Sequence, residues 1–178
     1  GQTWESLSLG LASLINNQDI IDMGCGTGRL AATLAESDNR VTGIDNSQEQ
    51  INIAQNLYRN IEGKLNFICA PMEVTGLPPS SFDLAIISQS LHHAAQPAQA
   101  ILEASRILRP EGRILVLDLL SHSQDWVHEK FADFWLGFDP ADVRQWLEDA
   151  GFRHIQHRIS GPDPAYPAIE TLIFTASK

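Results

Sequence analysis

Cysteines, cationic side chains and long apolar runs are all scarce in this chain. Two cysteines, Cys25 and Cys69, cannot build a disulfide-rich scaffold or a four-thiolate zinc centre. Their sparseness suits a cytoplasmic protein. Lysine and arginine total 12 against 22 aspartates and glutamates, a formal net charge of -10. Such a surface repels a phosphate backbone over most of its area, so nucleic acid is a poor first choice of substrate. No apolar run reaches the roughly 18 residues that a membrane helix needs, and no basic, apolar leader opens the chain. Internal repeats and low-complexity linkers are missing too. The first residue is Gly1 rather than methionine, which points to a fragment of a longer protein. What is present is 178 residues that are 43% hydrophobic. That is enough for one domain with its own core and no covalent staples.

Short apolar runs alternate with amphipathic stretches almost to the end. Residues 19–23 (DIIDM), 41–45 (VTGID), 65–69 (LNFIC), 83–88 (DLAIIS) and 113–119 read as strands. The nearly continuous apolar run at 83–88 suits a strand covered on both faces. Helices are expected over 4–15, 27–37, from Ser47 onward, over 97–108 and over 140–150. Ser47 with Gln50 has capping-box spacing, and Pro97 opens its helix where a missing N–H costs nothing. Pro110-Glu111-Gly112 reads as a turn. Two last strands, at about 152–158 and 169–176, are joined by a loop without a helix and so are expected to be antiparallel neighbours. This alternation predicts one α/β domain, a doubly wound, mostly parallel sheet of seven strands with helices on both faces.

Asp22-Met23-Gly24-Cys25-Gly26-Thr27-Gly28 leaves the first strand and opens a helix. Glycine permits tight turns and close ligand approach. Asp45 ends the second strand, and in a doubly wound sheet both groups reach the carboxyl edge, where an acid can accept both ribose hydroxyls. A dinucleotide fingerprint spaces its glycines G-x-G-x-x-G and sets a pyrophosphate on the helix. Here the spacing is G-x-G-x-G and an aspartate precedes it. Asp22 suits a ligand with an ammonium better than a pyrophosphate, which favours S-adenosylmethionine over a nicotinamide or flavin.

The runs IIDMGCGTG, GIDNS, LPPSSFDLAIISQSLHH and AILEASRILRPEGRILVLDL follow the order seen in class I S-adenosylmethionine-dependent methyltransferases, and the chain resembles that family. The likeness is to the type 11, small-molecule-like members. It implies the strand order 3-2-1-4-5-7-6, a Rossmann-like sheet with strand seven antiparallel. It implies that Asp22, Gly24, Cys25, Gly26 and Gly28 hold the methionine end. Asp45 would hold the ribose, with Asn46 beside it, Met72 would line the adenine face, and Ser88 would border the site from the fourth strand. Relatives often place an acid after the third strand for the adenine amino group, where this chain has Pro71. A backbone carbonyl or Glu73 is left for that role, and Glu73 reads equally as a solvated helix cap. The runs TWESLSLGLASLI and AYPAIETLIFTASK resemble a subgroup often fused behind an arsenic-repressor-type winged-helix module. That likeness implies a missing upstream DNA-binding module and, as a second function, a sensor of S-adenosylmethionine or S-adenosylhomocysteine regulating it.

The acceptor side is read from His92 and His93 after the fourth strand, and from Asp118 with His122 at the end of the fifth. A histidine near neutral pKa is a suitable base for an acceptor proton, and a carboxylate can orient it. Packing or capping is the competing role for these histidines. Asp125, Trp126, His128, Glu129, Phe131, Phe134, Trp135 and Phe138 follow. This aromatic stretch reads as a lid or acceptor pocket, or else as core or a dimer surface. Tyr166 is a candidate to close the same pocket. Adjacent His92 and His93 do not share a helix face. A mixed site of His122, His128 and Asp118 is geometrically possible, but no metal is expected, since methyl transfer to many acceptors needs none. Without a cysteine pair on the acceptor side, arsenic methylation is disfavoured. The expected function is methyl transfer from S-adenosylmethionine to a small molecule. A macromolecular acceptor would want a basic track that the sequence lacks.

Overall fold

The computed structural model describes residues 9–10, 12–61, 63–123, 134–161 and 169–178. Seven strands form one sheet: β1 (Asp19–Met23), β2 (Arg40–Asp45), β3 (Leu65–Cys69), β4 (Phe82–Ser88), β5 (Leu108–Leu119), β6 (Arg153–Ile159) and β7 (Thr171–Ser177). Their order is β3-β2-β1-β4-β5-β7-β6. The first five run parallel, and β7 is antiparallel to both β5 and β6. Four helices follow the pattern read from the sequence: α1 (Arg29–Ala35), α2 (Gln48–Leu57), α3 (Pro97–Ile107) and α4 (Pro140–Asp149). A 3-10 turn, Leu91–His93, lies between β4 and α3. Of the expected leading helix, residues 9–10 and 12–14 are helical, and its start lies outside the described residues.

Alternation along the strands sends apolar side chains into two clusters. Ile20, Val41, Leu84 and Ile86 meet Ala31, Leu34, Ile51 and Ala54 of α1 and α2 on one face. Ile21, Met23, Ile44, Ala85 and Ile87 meet Ile101, Ala104, Val143 and Leu147 of α3 and α4 on the other. The central strands are therefore apolar on both sides, as a parallel sheet demands. Helix entries follow their capping residues. Ser47 accepts the N–H of Gln50 at 3.4 Å, and Asp139 accepts that of Ala141 at 2.8 Å.

Of the boundaries that differ from the sequence reading, two have a visible cause. Helix α1 starts at Arg29 because Gly28, at φ 79, is a left-handed N-cap and cannot be helical. Strand β5 starts at Leu108 rather than Arg113. Phe82 pairs with Leu108 and Leu84 pairs with Arg113, so the expected turn Pro110-Glu111-Gly112 is a bulge inside the strand.

Polar groups lock the periphery. At the amino edge the Arg109 guanidinium bridges Asp19 at 2.8 Å and Asp83 at 2.6 Å, while Arg40 reaches Asp19 at 2.6 Å. Asn39 is fully buried and closes the end of α1. Its amide donates to the carbonyls of Leu34 and Ile15, and its oxygen accepts the Gln18 N–H. On α3 the buried Glu103 carboxylate accepts the Thr75 N–H and hydroxyl and two bonds from Arg106, fastening the loop that follows β3. Arg106 and Thr75 hold this carboxyl down at about 2, against the opposing effect of burial. Its folded pKa lies below the unfolded one, so its stabilisation is complete above about pH 4.5 and is lost as pH falls through about 2. Glu103→Ala leaves the Thr75 donors without their acceptor and is expected to cost about 2–4 kcal/mol in urea unfolding at pH 7. A loss below about 0.5 kcal/mol would show that this network holds nothing.

Candidate active site

Three parallel strands end together at the carboxyl edge, and the residues that follow them fold back onto one another. After β1, the N–H groups of Gly24 and Cys25 both donate to the Ile44 carbonyl at 2.8 Å. The Gly26 N–H donates to Asp45 Oδ2 and the Ser47 N–H to Asp45 Oδ1, each at 2.9 Å. Asp45 thus draws the glycine turn against the end of β2 before any ligand arrives. Each of its oxygens retains a second lone pair for a hydroxyl donor.

The three glycines have different duties, although all lie at positive φ. A Cβ at Gly24 would collide with the Ser90 side chain, and one at Gly28 with the Phe67 ring. These two are required by close packing. A Cβ at Gly26 would meet nothing within 4 Å. Gly26 is therefore bare toward open space, as a backbone approached by a ligand must be. The Met72 methyl lies against Gly24, which brings the residue expected at the adenine face to the same turn.

Asp22 is buried, at 2% exposure, and receives the Ala31 N–H of α1. Burial pushes its carboxyl up to about 7. The Ala31 N–H opposes that rise, and the Asp45 charge adds to it. The neighbouring Cys25 thiol is also pushed up, by burial first and then by the Asp22 and Asp45 charges, so it is a neutral thiol. Asn46 is exposed, and its carbonyl accepts a weak S–H bond from Cys69 at 3.6 Å. Glu73 accepts the N–H of Gln96, the N-cap of α3, at 3.2 Å. That is the helix-end role weighed for it. Ser88 Oγ is buried at the end of β4 with no hydrogen-bond partner among the described residues. Such a hydroxyl calls for a partner.

The acceptor side is organised by Asp118, which is 1% exposed. Its Oδ2 accepts the Leu91 N–H at 2.8 Å, and its Oδ1 accepts the Leu119 N–H at 2.8 Å. The same Oδ1 lies 2.8 Å from His92 Nδ1. The sequence reading set Asp118 with His122. The structure pairs it with His92, because β4 and β5 are parallel neighbours and end side by side. Nδ1 donates to the carboxylate, which makes Nε2 the basic nitrogen of His92. His93 is exposed, and its ring centroid is 4.2 Å from that of His92. His122 lies further along, its N–H donating to the Leu136 carbonyl at 3.0 Å. Ser90 was missed from the sequence. Its hydroxyl donates to the Met23 carbonyl at 2.8 Å and forms the wall beneath Gly24. The only available signal was a small polar residue two positions past an apolar strand. Asp125, Trp126, His128, Glu129, Phe131 and Tyr166 lie outside the described residues. Among the described residues no group of three or more His, Cys, Asp or Glu side chains is arranged to hold a metal, and no helix is long and apolar enough to cross a membrane.

Residues 21–116 match the family described as "Methyltransferase domain". The match spans more than half of the chain, and the chain belongs to this family. An O-methyltransferase of Pyrenophora dematioidea is 39% identical over 106 residues, covering 58% of this chain and 40% of that protein. O-methyltransferase rstn1 of Aspergillus nomiae is 36% identical over 110 residues, covering 60% of this chain and 49% of its own. The chain thus spans less than half the length of either relative. Among solved structures, the [4+2]-cyclase SpnF superposes with a TM-score of 0.83 at 21% identity, covering 99% of this chain and 82% of that one. Phosphoethanolamine N-methyltransferase 2 of Haemonchus contortus, solved with S-adenosyl-L-methionine, gives 0.83 at 15% identity, covering 97% and 52%. At such identities the likeness is one of fold.

S-adenosylmethionine is the cofactor of this methyltransferase family. The carboxyl edge fits it, with open space at Gly26, spare acceptor capacity at Asp45 and a buried acid at Asp22 suited to an ammonium or sulfonium. Asp45→Ala is expected to weaken S-adenosylhomocysteine binding by about 1.5–3 kcal/mol in calorimetry. An unchanged dissociation constant would remove Asp45 from the ribose site. Asp22 adds a pH effect. Its folded pKa is raised, so the ligand-free fold loses stability as pH climbs from about 4 to 7, by on the order of 4 kcal/mol for a shift of that size. A cationic ligand restores the carboxylate. Binding of S-adenosylmethionine is therefore expected to release a proton at pH 6 and to tighten from about pH 5 to 7. Asp22→Asn should abolish both effects and raise the ligand-free melting temperature above pH 7. Calorimetry in two buffers of different ionisation enthalpy reads the proton, and a pH-independent affinity would refute the assignment.

Proposed function

We propose that this chain transfers a methyl group from S-adenosylmethionine to an oxygen of a small molecule, leaving S-adenosylhomocysteine. The observation that carries the reading is the buried His92–Asp118 pair, at 2.8 Å, on the same sheet edge as the glycine turn. The fold by itself does not choose a reaction, since a [4+2]-cyclase shares it. The names of the two O-methyltransferase relatives favour an oxygen acceptor. A net charge of -10 favours a small acceptor over nucleic acid.

When bound, the cofactor supplies a methyl carbon on a sulfonium, and the carbon–sulfur pair returns to sulfur as the oxygen–carbon bond forms. The protein's part is alignment and proton removal. Asp45 and the Gly26 backbone fix the donor end. His92 takes the hydroxyl proton at Nε2. Asp118 keeps the imidazole in the tautomer that can do so and stabilises the cation that results.

His92→Ala is expected to lower kcat for labelled-methyl transfer about 10²–10³-fold, with the S-adenosylhomocysteine dissociation constant changed less than about twofold. Asp118→Asn should lower kcat as well and move the acid limb of the rate profile, the limb on which a protonated His92 cannot accept the proton. An unaltered kcat in His92→Ala would take histidine out of the chemistry.

A further inference from the structure

The residues that pack on the His92 turn carry their aromatic rings into solvent. The N–H groups of Phe134 and Trp135 both donate to the His92 carbonyl, at 3.1 and 3.2 Å. The Trp135 indole N–H donates to the Ala94 carbonyl at 2.9 Å. Farther on, Phe138 N–H donates to the Leu119 carbonyl and Ser121 N–H to the Phe138 carbonyl, at 2.9 and 3.0 Å. Segment 134–138 is thus bonded both to the turn that bears the base and to the end of the strand that bears Asp118. Large apolar side chains fixed by such bonds would ordinarily be covered. Phe134 is 68% exposed and Trp135 is 42% exposed, while Phe138 is buried. Two aromatic surfaces therefore stand open on the backbone that abuts His92.

We propose that these rings are the acceptor platform and that the acceptor is a neutral phenol, its ring stacked on Phe134 and Trp135 and its hydroxyl offered to His92. The inference rests on the oxygen-methylation reading above. Three physical arguments converge on it. A flat ring gains offset or edge-on contact with exposed aromatics that a saturated ring does not. A phenol, with a pKa of about 10, yields its proton to an imidazole far more readily than an aliphatic hydroxyl, which lies near water's value of about 15.7. The chain's charge of -10 disfavours an anionic acceptor. In the step, the phenol O–H proton passes to His92, and the oxygen pair forms the bond to the methyl carbon. The carbon–sulfur pair leaves with the sulfur.

The test uses a matched pair, 2-naphthol and its saturated analogue 2-decalol, with benzylamine as a nitrogen acceptor. Each is titrated calorimetrically into the chain loaded with S-adenosylhomocysteine, and each is assayed for labelled-methyl transfer. The expected result is binding of 2-naphthol about tenfold or more tighter than 2-decalol, with transfer to the phenol alone. Phe134→Ala and Trp135→Ala should each raise the KM for 2-naphthol about tenfold with S-adenosylhomocysteine affinity intact, and Trp135→Phe should restore most of it. Equal or absent binding of the two ring compounds overturns the proposal. So does a 2-naphthol KM indifferent to both alanine variants. Transfer to 2-decalol or benzylamine in place of 2-naphthol also overturns it, and leaves methyl transfer standing. Failure of S-adenosylhomocysteine to bind at the loading step strikes at the underlying reading instead.

Discussion

One buried carboxylate joins the two halves of the acceptor side. Asp118 ends β5, the fifth strand in the chain, and its oxygens accept from Leu91, from Leu119 and from the His92 ring. A carboxylate this enclosed is tolerable only when it is surrounded by donors, and the 3-10 turn supplies them. Two i to i+3 backbone bonds, from the His93 N–H to Ser90 and from the Ala94 N–H to Leu91, close the turn on itself. Its geometry is set by Asp118 below and by Phe134 and Trp135 above, which bond to the His92 carbonyl. The position of the imidazole therefore follows from the register of β4 against β5, two strands deep in the apolar core. Rigid strands aim the base, and short connections carry it.

The donor side is built by the same logic with a different acid. Asp45 binds two backbone N–H groups from two separate segments, and the Ile44 carbonyl binds two more from the glycine turn. The turn is thus preorganised by β2 and not by the ligand. Structural duty is kept at the opposite edge, where Arg109 and Arg40 neutralise Asp19 and Asp83. Paired charges lie at the amino ends of the strands. Acids with spare acceptor capacity lie at the carboxyl ends, where a ligand meets a doubly wound sheet.

Most of this architecture was legible in the residues. Strand cores such as 19–23 and 65–69 announce themselves by apolar density, and Ser47 and Pro97 mark helix entries by local chemistry. The strand order came from family likeness, which is information about global packing that no local pattern contains. What failed depended on adjacency across the sheet. Asp118 was set with His122, four residues on, because sequence proximity was the only metric. His92, which hydrogen-bonds Asp118 in the structure, is 26 residues away and is brought near by parallel pairing. The β5 bulge failed for a related reason. Pro110-Glu111-Gly112 does turn, but whether a turn ends a strand or interrupts it is decided by Phe82 and Leu84 on the neighbour. Ser90 gave no signal, since its role is to fill the space under a glycine on another strand.

The electrostatics of the donor side also separate the two cofactor classes that a glycine-rich turn invites. Asp22 and Asp45 are like charges at one edge. Burial pushes the Asp22 carboxyl up to about 7, and the Asp45 charge adds to the rise. A pyrophosphate set on α1 would add two more negative charges to that enclosure, and no cation is paired with Asp22 among the described residues to offset them. A ligand bearing an ammonium and a sulfonium does the reverse. It restores the Asp22 carboxylate and relieves the repulsion from Asp45, so it gains from an unfavourable arrangement that the ligand-free fold must bear. In the ligand-free state this corner of the fold is destabilised, and the compensation lies in the two apolar clusters and in the Glu103 and Arg109 networks elsewhere. Selectivity for a cationic donor over a dinucleotide is therefore a property of the charge arrangement around the turn, and the glycine spacing only makes room for it.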